Sequence, residues 1–179
     1  MSENLPPIRS PVGLTNVSLP DELLAAAPKL LDGAPTQAAV RRSVSTAYYA
    51  LFHLLIQEAC ANWARSEHRV QLGRAFEHKQ MNAASERYRA KCKNAPVNSV
   101  EEHLFEVADH FVALQQKREL ADYDSSIELT AKQAMQTIRE AEDAFRRWEI
   151  IRKEPIAQDY LVSLLFKEKP TRSPEWGDR

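Results

Sequence analysis

The sequence predicts an all-α fold, and three observations carry that prediction. Only four glycines occur among the 179 residues. The ten prolines cluster at residues 6–35, at Pro96 and from Pro155 onward, which leaves long stretches free of helix breakers. Within those stretches apolar residues return every three or four positions, the period of a helix with one buried face. A sheet-rich chain of this length would need many tight turns, and turns draw on glycine, asparagine and aspartate. The simplest assembly is a bundle of four principal helices with short accessory helices at both ends.

Residues 1–19 are rich in Pro, Ser and Asn, carry no helical period and read as a mobile N-terminal arm. Ser18 or Asp21 caps a short first helix with Pro20 near its start, running through Leu23, Leu24 and Leu30 to Leu31 and stopping at Gly33. Pro28 is expected to kink or split it. A second helix begins near Pro35 and Thr36 and meets no breaker until beyond Trp63; Val40, Val44, Tyr48, Leu51, Leu55 and Ala59 form its stripe, widened by Phe52, Ile56 and Trp63. A third, more polar helix is expected from His68 to Lys91. After a connection through Pro96, Asn98 or Ser99 caps a fourth helix that carries Glu101 and Glu102 in its first turn, where the helix dipole favours them, and runs to about Asp122. Ser125 or Ser126 is expected to cap the fifth, whose seam is Ile127, Ala131, Ala134, Ile138, Ala141, Phe145 and Trp148. Pro155 ends it. Tyr160, Leu161, Leu164, Leu165 and Phe166 then make a short apolar helix, and the last residues, from Pro170, read as a frayed tail. The expected division is thus residues 1–19 as arm, 20–153 as helical bundle and 154–179 as short helix and tail.

Twenty-four basic residues face 25 acidic ones, so no global field favours a polyanion and any such site must be a local patch. Cys60 and Cys92 lack ligand-like spacing and read as structural thiols. With no apolar run long enough to span a bilayer and no secretory signal at the N-terminus, the expected setting is cytoplasmic, without membrane contact. Neither a cofactor nor a metal is expected. Glu102, Glu106, Asp109, His103 and His110 offer candidate ligands, but the paired Glu-x-x-His pattern of di-iron bundles is absent, and Glu106 with His110 reads equally well as an i,i+4 surface contact.

Two segments say more. On the fourth helix the stripe Leu104, Val107, Ala108, Phe111, Leu114 extends by helical steps to Arg118, which sets a guanidinium on the buried face. It needs an anionic partner or a wet cleft, and Asp122 lies four residues on. The second segment runs from Arg41 to His53 and interleaves basic, hydroxyl and aromatic groups; Tyr48 and Tyr49 point about 100° apart, so one can join the core while the other reaches a cleft.

Arg42 to His53 reads RSVSTAYYALFH, Arg74 to Lys79 reads RAFEHK, and Lys117 to Asp124 reads KRELADYD. Together, over about residues 35–152, these resemble the HEPN family of helical domains, named for higher eukaryotes and prokaryotes. The resemblance implies an antiparallel four-helix bundle that forms a two-fold homodimer, with the arginine-bearing helix lining a cleft at the interface. Family members are often RNA-cleaving toxins or defence components encoded beside a separate nucleotidyltransferase, and others are binding modules. Nuclease members carry an arginine followed by four to six residues and a histidine. After Arg118 those places hold Tyr123, Asp124 and Ser125, and none of His53, His68, His78, His103 and His110 follows an arginine at that distance.

The expectation is therefore a module of a toxin–antitoxin, defence or stress system that binds RNA or a nucleotide phosphate through Arg118, Asp122, Tyr123, Arg42, Tyr48 and Tyr49. Its partners would be a second copy of the chain and a nucleotidyltransferase or antitoxin. Enzyme activity stays open: an active ribonuclease would draw on Arg118, Tyr123 and His53. A purely structural dimer, with Arg118 paired to Asp122 throughout, is the third reading.

Overall fold

A computed structural model describes residues 17–166, and those residues are all helical, with no strand among them. The expected arm, apart from residues 17–19, and the expected tail lie outside the described residues. Helix α1 spans Leu19–Lys29 with Ser18 at its N-cap, and the Ser18 hydroxyl bonds the Asp21 carboxylate at 2.5 Å. Leu19, assigned to the arm from sequence, is already helical. Pro28 falls in the last turn, so it closes the helix instead of splitting it. Gly33 then turns the chain at φ +72°, a left-handed conformation that suits glycine.

Helix α2, Gln37–Ala61, starts where Thr36 accepts a hydrogen bond from the Ala39 amide. It ends short of the expected point, and Trp63 lies half exposed beyond it. The single helix expected over His68 to Lys91 is two. A 3-10 turn at Ser66–His68 leads into the short α3, Arg69–Gly73, and α4 begins afresh at His78–Cys92. Gly73 weakens helical continuation, Phe76 is drawn into the core, and Glu77 is extended at φ −115°, ψ 133°.

Helix α5, Val100–Tyr123, is entered through Asn98 at φ +61°; Ser99 accepts from the Glu102 amide while the Glu102 carboxylate accepts from the Asn98 amide. Helix α6, Ala131–Ile151, starts later than the serines suggested. Thr130 and Gln133 form its capping box, because Asp124 takes Ser126 into a local turn, accepting from both its amide and its hydroxyl. Ile127 and Ala131 consequently stand outside the seam, while Ala134, Ile138, Ala141 and Trp148 are buried in it. Helix α7, Pro155–Ser163, folds back onto α2 and α4, with the Tyr160 and Ser85 hydroxyls bonded at 2.7 Å.

Helices α2 and α5 are the hubs of the core: α2 packs on α1, α5 and α6, and α5 packs on α4 and α6. Tyr48, Leu51, Leu55, Met81, Leu104, Phe111, Leu114, Ile138 and Trp148 are buried there, each large side chain contributing about 1.5–3 kcal/mol by its removal from water. A second, smaller cluster of Val40, Val44, Ala121 and Ala134 ties the start of α2 to the end of α5 and the start of α6. Cys60 and Cys92 are free and buried, and burial pushes both thiols above their ordinary pKa, as structural thiols require. No described helix is long and apolar enough to cross a membrane.

Candidate functional site

The apolar stripe of α5 carries Arg118 inward as its spacing requires, and the side chain is only 14% exposed. Three groups meet its guanidinium. Asp122, one turn on, places Oδ2 2.8 Å from Nε. That N–H is not aimed at the oxygen, so the contact is ionic more than a directed hydrogen bond. From α2, the Tyr49 hydroxyl accepts from Nη2 at 2.9 Å. The rings of Tyr49 and Tyr123 lie 5.6 and 5.4 Å from the guanidinium carbon, within cation–π range. Burial works against the charge of Arg118, but Tyr49 and Asp122 outweigh it and hold the pKa above its ordinary value. Nη1 makes no hydrogen bond among the described residues, so one edge of the fork is open.

Asp122 is fixed from the other side by the Ser45 hydroxyl, 2.5 Å from Oδ1. Ser45 and Tyr49 lie one turn apart on α2, so a single face of that helix holds both members of the Arg118–Asp122 pair. Arg42, one turn before Ser45, is exposed, and its side chain makes no hydrogen bond or ion pair among the described residues, although its carbonyl accepts from the Thr46 hydroxyl at 2.7 Å. Its neighbour Arg41 does the structural work: it donates to the carbonyls of Ala121 and Asp124, each at 2.9 Å, to Leu120 at 3.4 Å and to Ile127 at a closer contact. Leu120 already accepts from the Asp124 amide, whereas Ala121 is one of the carbonyls that the last turn of α5 leaves without a helical partner, and Asp124 and Ile127 lie in the connection that follows. The Gln37 side chain adds bonds to the backbone N–H and C=O of Leu129, so the α5–α6 connection is stapled to the first turns of α2.

Tyr48, one of the expected ligand-binding residues, is fully buried and joins the site from behind, its ring 5.4 Å from that of Tyr49 and its hydroxyl 2.6 Å from His78 Nδ1. Burial raises the Tyr48 pKa well above the ordinary value, so the phenol stays neutral. His78 opens α4 and stacks on Phe52 at 4.2 Å between ring centres; His53 stands edge-on to the same ring at 5.3 Å. Tyr49 lies 6.0 Å from His78 and 6.4 Å from His53. Burial lowers both imidazoles; for His78 the charge of Arg118 adds to the effect, against Glu119.

Beside this cluster runs an open groove of about 820 Å³ lined by Gln116, Arg118, Glu119, Leu120, Tyr123 and Asp124. Tyr123 is 75% exposed and forms one wall. The structure thus brings together Arg118, Asp122, Tyr123 and Tyr49, with His53 next to Tyr49, and gives the Arg42 side chain no contact with them. Sequence reasoning gave no role here to Ser45, Arg41, Glu119 or Gln115. Gln115 is buried and donates to Glu119 at 3.2 Å, with its own carbonyl oxygen unpaired. His78 had a signal in the RAFEHK segment, but its place beside Tyr48 and Phe52 needs the fold.

The candidate metal ligands divide between other tasks. Glu102 holds the α5 cap, Asp109 pairs with Arg89 at 3.1 Å, and His103 meets Arg147 at 3.1 Å. Glu106, His110 and Asp143 do converge, His110 Nε2 lying 3.2 Å from Asp143 and 3.9 Å from Glu106. Asp143, however, also receives Arg147 at 2.6 Å and Arg146 at 2.9 Å. Burial would raise this carboxyl, yet the two arginines and His110 hold it down at about 2. The two carboxylates are already balanced by two guanidiniums, which disfavours a divalent ion.

Comparison of the chain with protein families, with curated proteins and with solved structures finds no match.

Proposed function

We propose that this chain is a HEPN-like protein whose helices α2, α4, α5 and α6 form an antiparallel bundle, and that it binds RNA or a nucleotide phosphate at Arg118. The observation that carries the reading is the state of that guanidinium: largely enclosed, set beside two tyrosine rings, and with Nη1 unbonded next to a groove that Arg118 lines. A guanidinium edge matches a phosphate in charge and geometry, and an exposed tyrosine offers a base its ring. The three segments that resemble the family support it further, because Tyr49, His78 and Arg118 come from each of them in turn. In the pairings of α2 with α5, Ser45 meets Asp122, Tyr49 meets Arg118 and Tyr48 meets Phe111, the order of two antiparallel helices. A homodimer with the two Arg118 grooves near its axis, acting with an antitoxin or nucleotidyltransferase in a toxin, defence or stress system, fits the same reading.

The test is incubation of the protein and of its Arg118→Ala variant with mixed-sequence RNA, in EDTA and in manganese, followed by gel retardation and by cleavage. Retardation without cleavage, lost in the variant, is the result expected of an RNA ligand; no retardation by the parent protein in either buffer, together with no calorimetric binding of any ribonucleoside 5′-monophosphate, would refute the reading.

One observation favours a second reading, a metal-independent ribonuclease. His78 and His53 lie 6.0 and 6.4 Å from the Tyr49 ring, burial lowers the pKa of both, and His78 Nε2 makes no hydrogen bond among the described residues. A neutral imidazole accepts a proton from a ribose hydroxyl. RNA cleavage in EDTA that disappears in His78→Asn would select this reading over simple binding.

A further inference from the structure

Phosphate recognition at Arg118, taken from the preceding reading, leaves open how much nucleic acid the groove accepts. A protein that tracks a polynucleotide backbone sets several unpaired cations along it, and its affinity falls steeply with salt for that reason. The surroundings of Arg118 do not have that character. Arg41, Arg42 and Arg118 are matched by Glu119, Asp122 and Asp124, and the guanidinium of Arg41 is spent on backbone carbonyls. Among the residues that line the groove, Arg118 is the one cation and Glu119 and Asp124 are two carboxylates.

Those carboxylates are half used. Glu119 accepts from Gln115 through Oε1, and Asp124 accepts from Ser126 through Oδ1; Glu119 Oε2 and Asp124 Oδ2 make no hydrogen bond among the described residues. The Asp122 carboxylate differs, since Ser45 and Arg118 occupy both of its oxygens. A run of phosphates laid along this groove would meet two free carboxylates and be repelled. A ligand with one phosphate and a set of hydroxyl donors would satisfy every open group: the phosphate on the free edge of Arg118, the base on Tyr123 and the sugar hydroxyls on the carboxylates. Charge-assisted hydrogen bonds from a cis-diol to a carboxylate are the way a ribose is told from a deoxyribose at a nucleotide site.

We infer that the groove beside Arg118 is selective for a single ribonucleoside phosphate with a free 2′,3′-diol, with Glu119 and Asp124 as the residues that read the ribose and turn away continuous backbone. The shared chemistry belongs to a free mononucleotide and to the 3′-terminal nucleotide of an RNA, and the two sources separate by experiment.

The test is isothermal titration of the full chain with the four ribonucleoside 5′-monophosphates, their 2′-deoxy counterparts, a ten-residue adenylate RNA ending in a free 3′-diol, and the same RNA ending in a 3′-phosphate. Each is measured at low and at physiological salt. At least one ribonucleotide should bind, with its deoxy counterpart about tenfold weaker or more, the size expected when hydrogen bonds to a charged group are lost. The preference should vanish in Glu119→Gln/Asp124→Asn, one substitution at an exposed position and one at a half-buried position, neither of which removes Arg118. If the source is an RNA end, the diol-ended RNA should bind and the 3′-phosphate form should lose about tenfold. If the source is a free nucleotide, both RNAs should bind more weakly than the mononucleotide. For an RNA end the salt slope should correspond to about one released ion, and for a free mononucleotide, which carries no condensed counterions, affinity should fall only weakly with salt.

Equal affinity for ribo and deoxy forms, or tighter binding of both RNAs than of any mononucleotide with a slope of several ions, would overturn the inference while leaving phosphate recognition intact. Absence of binding by every probe, or binding indifferent to Arg118→Ala, would remove the phosphate reading together with it.

Discussion

The hydroxyl of Tyr49 accepts a hydrogen bond from Nη2 of Arg118 at 2.9 Å, across 69 positions of sequence. Tyr49 can still donate its own proton outward, so the pair presents a guanidinium edge and a phenol on one surface. Because Asp122 holds the Nε side, the arginine is fixed in orientation without being fully consumed.

Tyr49→Phe tests that arrangement while keeping the ring. The loss of one hydrogen bond to a charged group should weaken nucleotide binding by about tenfold and cost about 1 kcal/mol of stability. Titration calorimetry and urea denaturation read the two effects separately. Unchanged affinity would mean that Tyr49 only packs.

Arg41→Ala removes the clamp on the end of α5. Four carbonyls lose a donor, but water reaches that surface, so the expected cost is only about 1–2 kcal/mol. Hydrogen exchange should quicken across residues 124–130 and stay unchanged in the core of α6. Arg42→Ala, one position on and exposed, should leave both measures unaltered.

Arg152 grips Glu58 through Nε at 3.1 Å and Nη2 at 2.5 Å, joining the ends of α6 and α2. The Glu58 side chain is 11% exposed and Arg152 is 38% exposed. Arg152→Met would strand a nearly buried carboxylate; with solvent screening on the arginine side, the cost should be about 2 kcal/mol, below the figure for a fully buried pair. The double variant Glu58→Leu/Arg152→Met should recover most of it. A double variant as unstable as the single one would rule this account out.

Stability should fall in two separate pH windows. His78 and His53 sit below the ordinary imidazole value of 6.5, so the folded chain binds their protons less readily than the unfolded chain does. Their contribution is complete above pH 6.5 and is lost as pH drops through the lowered values. Asp143, held at about 2 against an ordinary 3.8, contributes fully above 3.8 and loses that contribution as pH falls through about 2. Urea midpoints at pH 7.5 and 5.5 should differ less in His78→Gln than in the parent protein.

Helix content was legible in the sequence wherever breakers were sparse and apolar residues kept their period. Both Tyr48 and Arg118 fall on inward faces, and Ser99 caps α5, because these are consequences of local spacing and local backbone donors. The misreadings are tertiary in origin. A helix written through residues 68–91 is broken at Arg74–Glu77 because Phe76 gains more in the core than a continued helix would yield. The start of α6 moved from Ser125 or Ser126 to Thr130 because Asp124 takes Ser126 into a local turn and Arg41, some 80 residues away, holds the carbonyls of Ala121, Asp124 and Ile127 around it.

The same division runs through the site. The sequence by itself determined that an arginine must lie on a buried helix face with a carboxylate one turn on, since both follow from a 3.6-residue period. Only the tertiary structure decided that Tyr49 meets that arginine, Ser45 its carboxylate and His78 the Tyr49 ring, that Arg41 and not Arg42 is the structural cation, and that two carboxylates stand beside the groove with free oxygens. Those are contacts between helices far apart along the chain, and no local periodicity encodes which faces pack together.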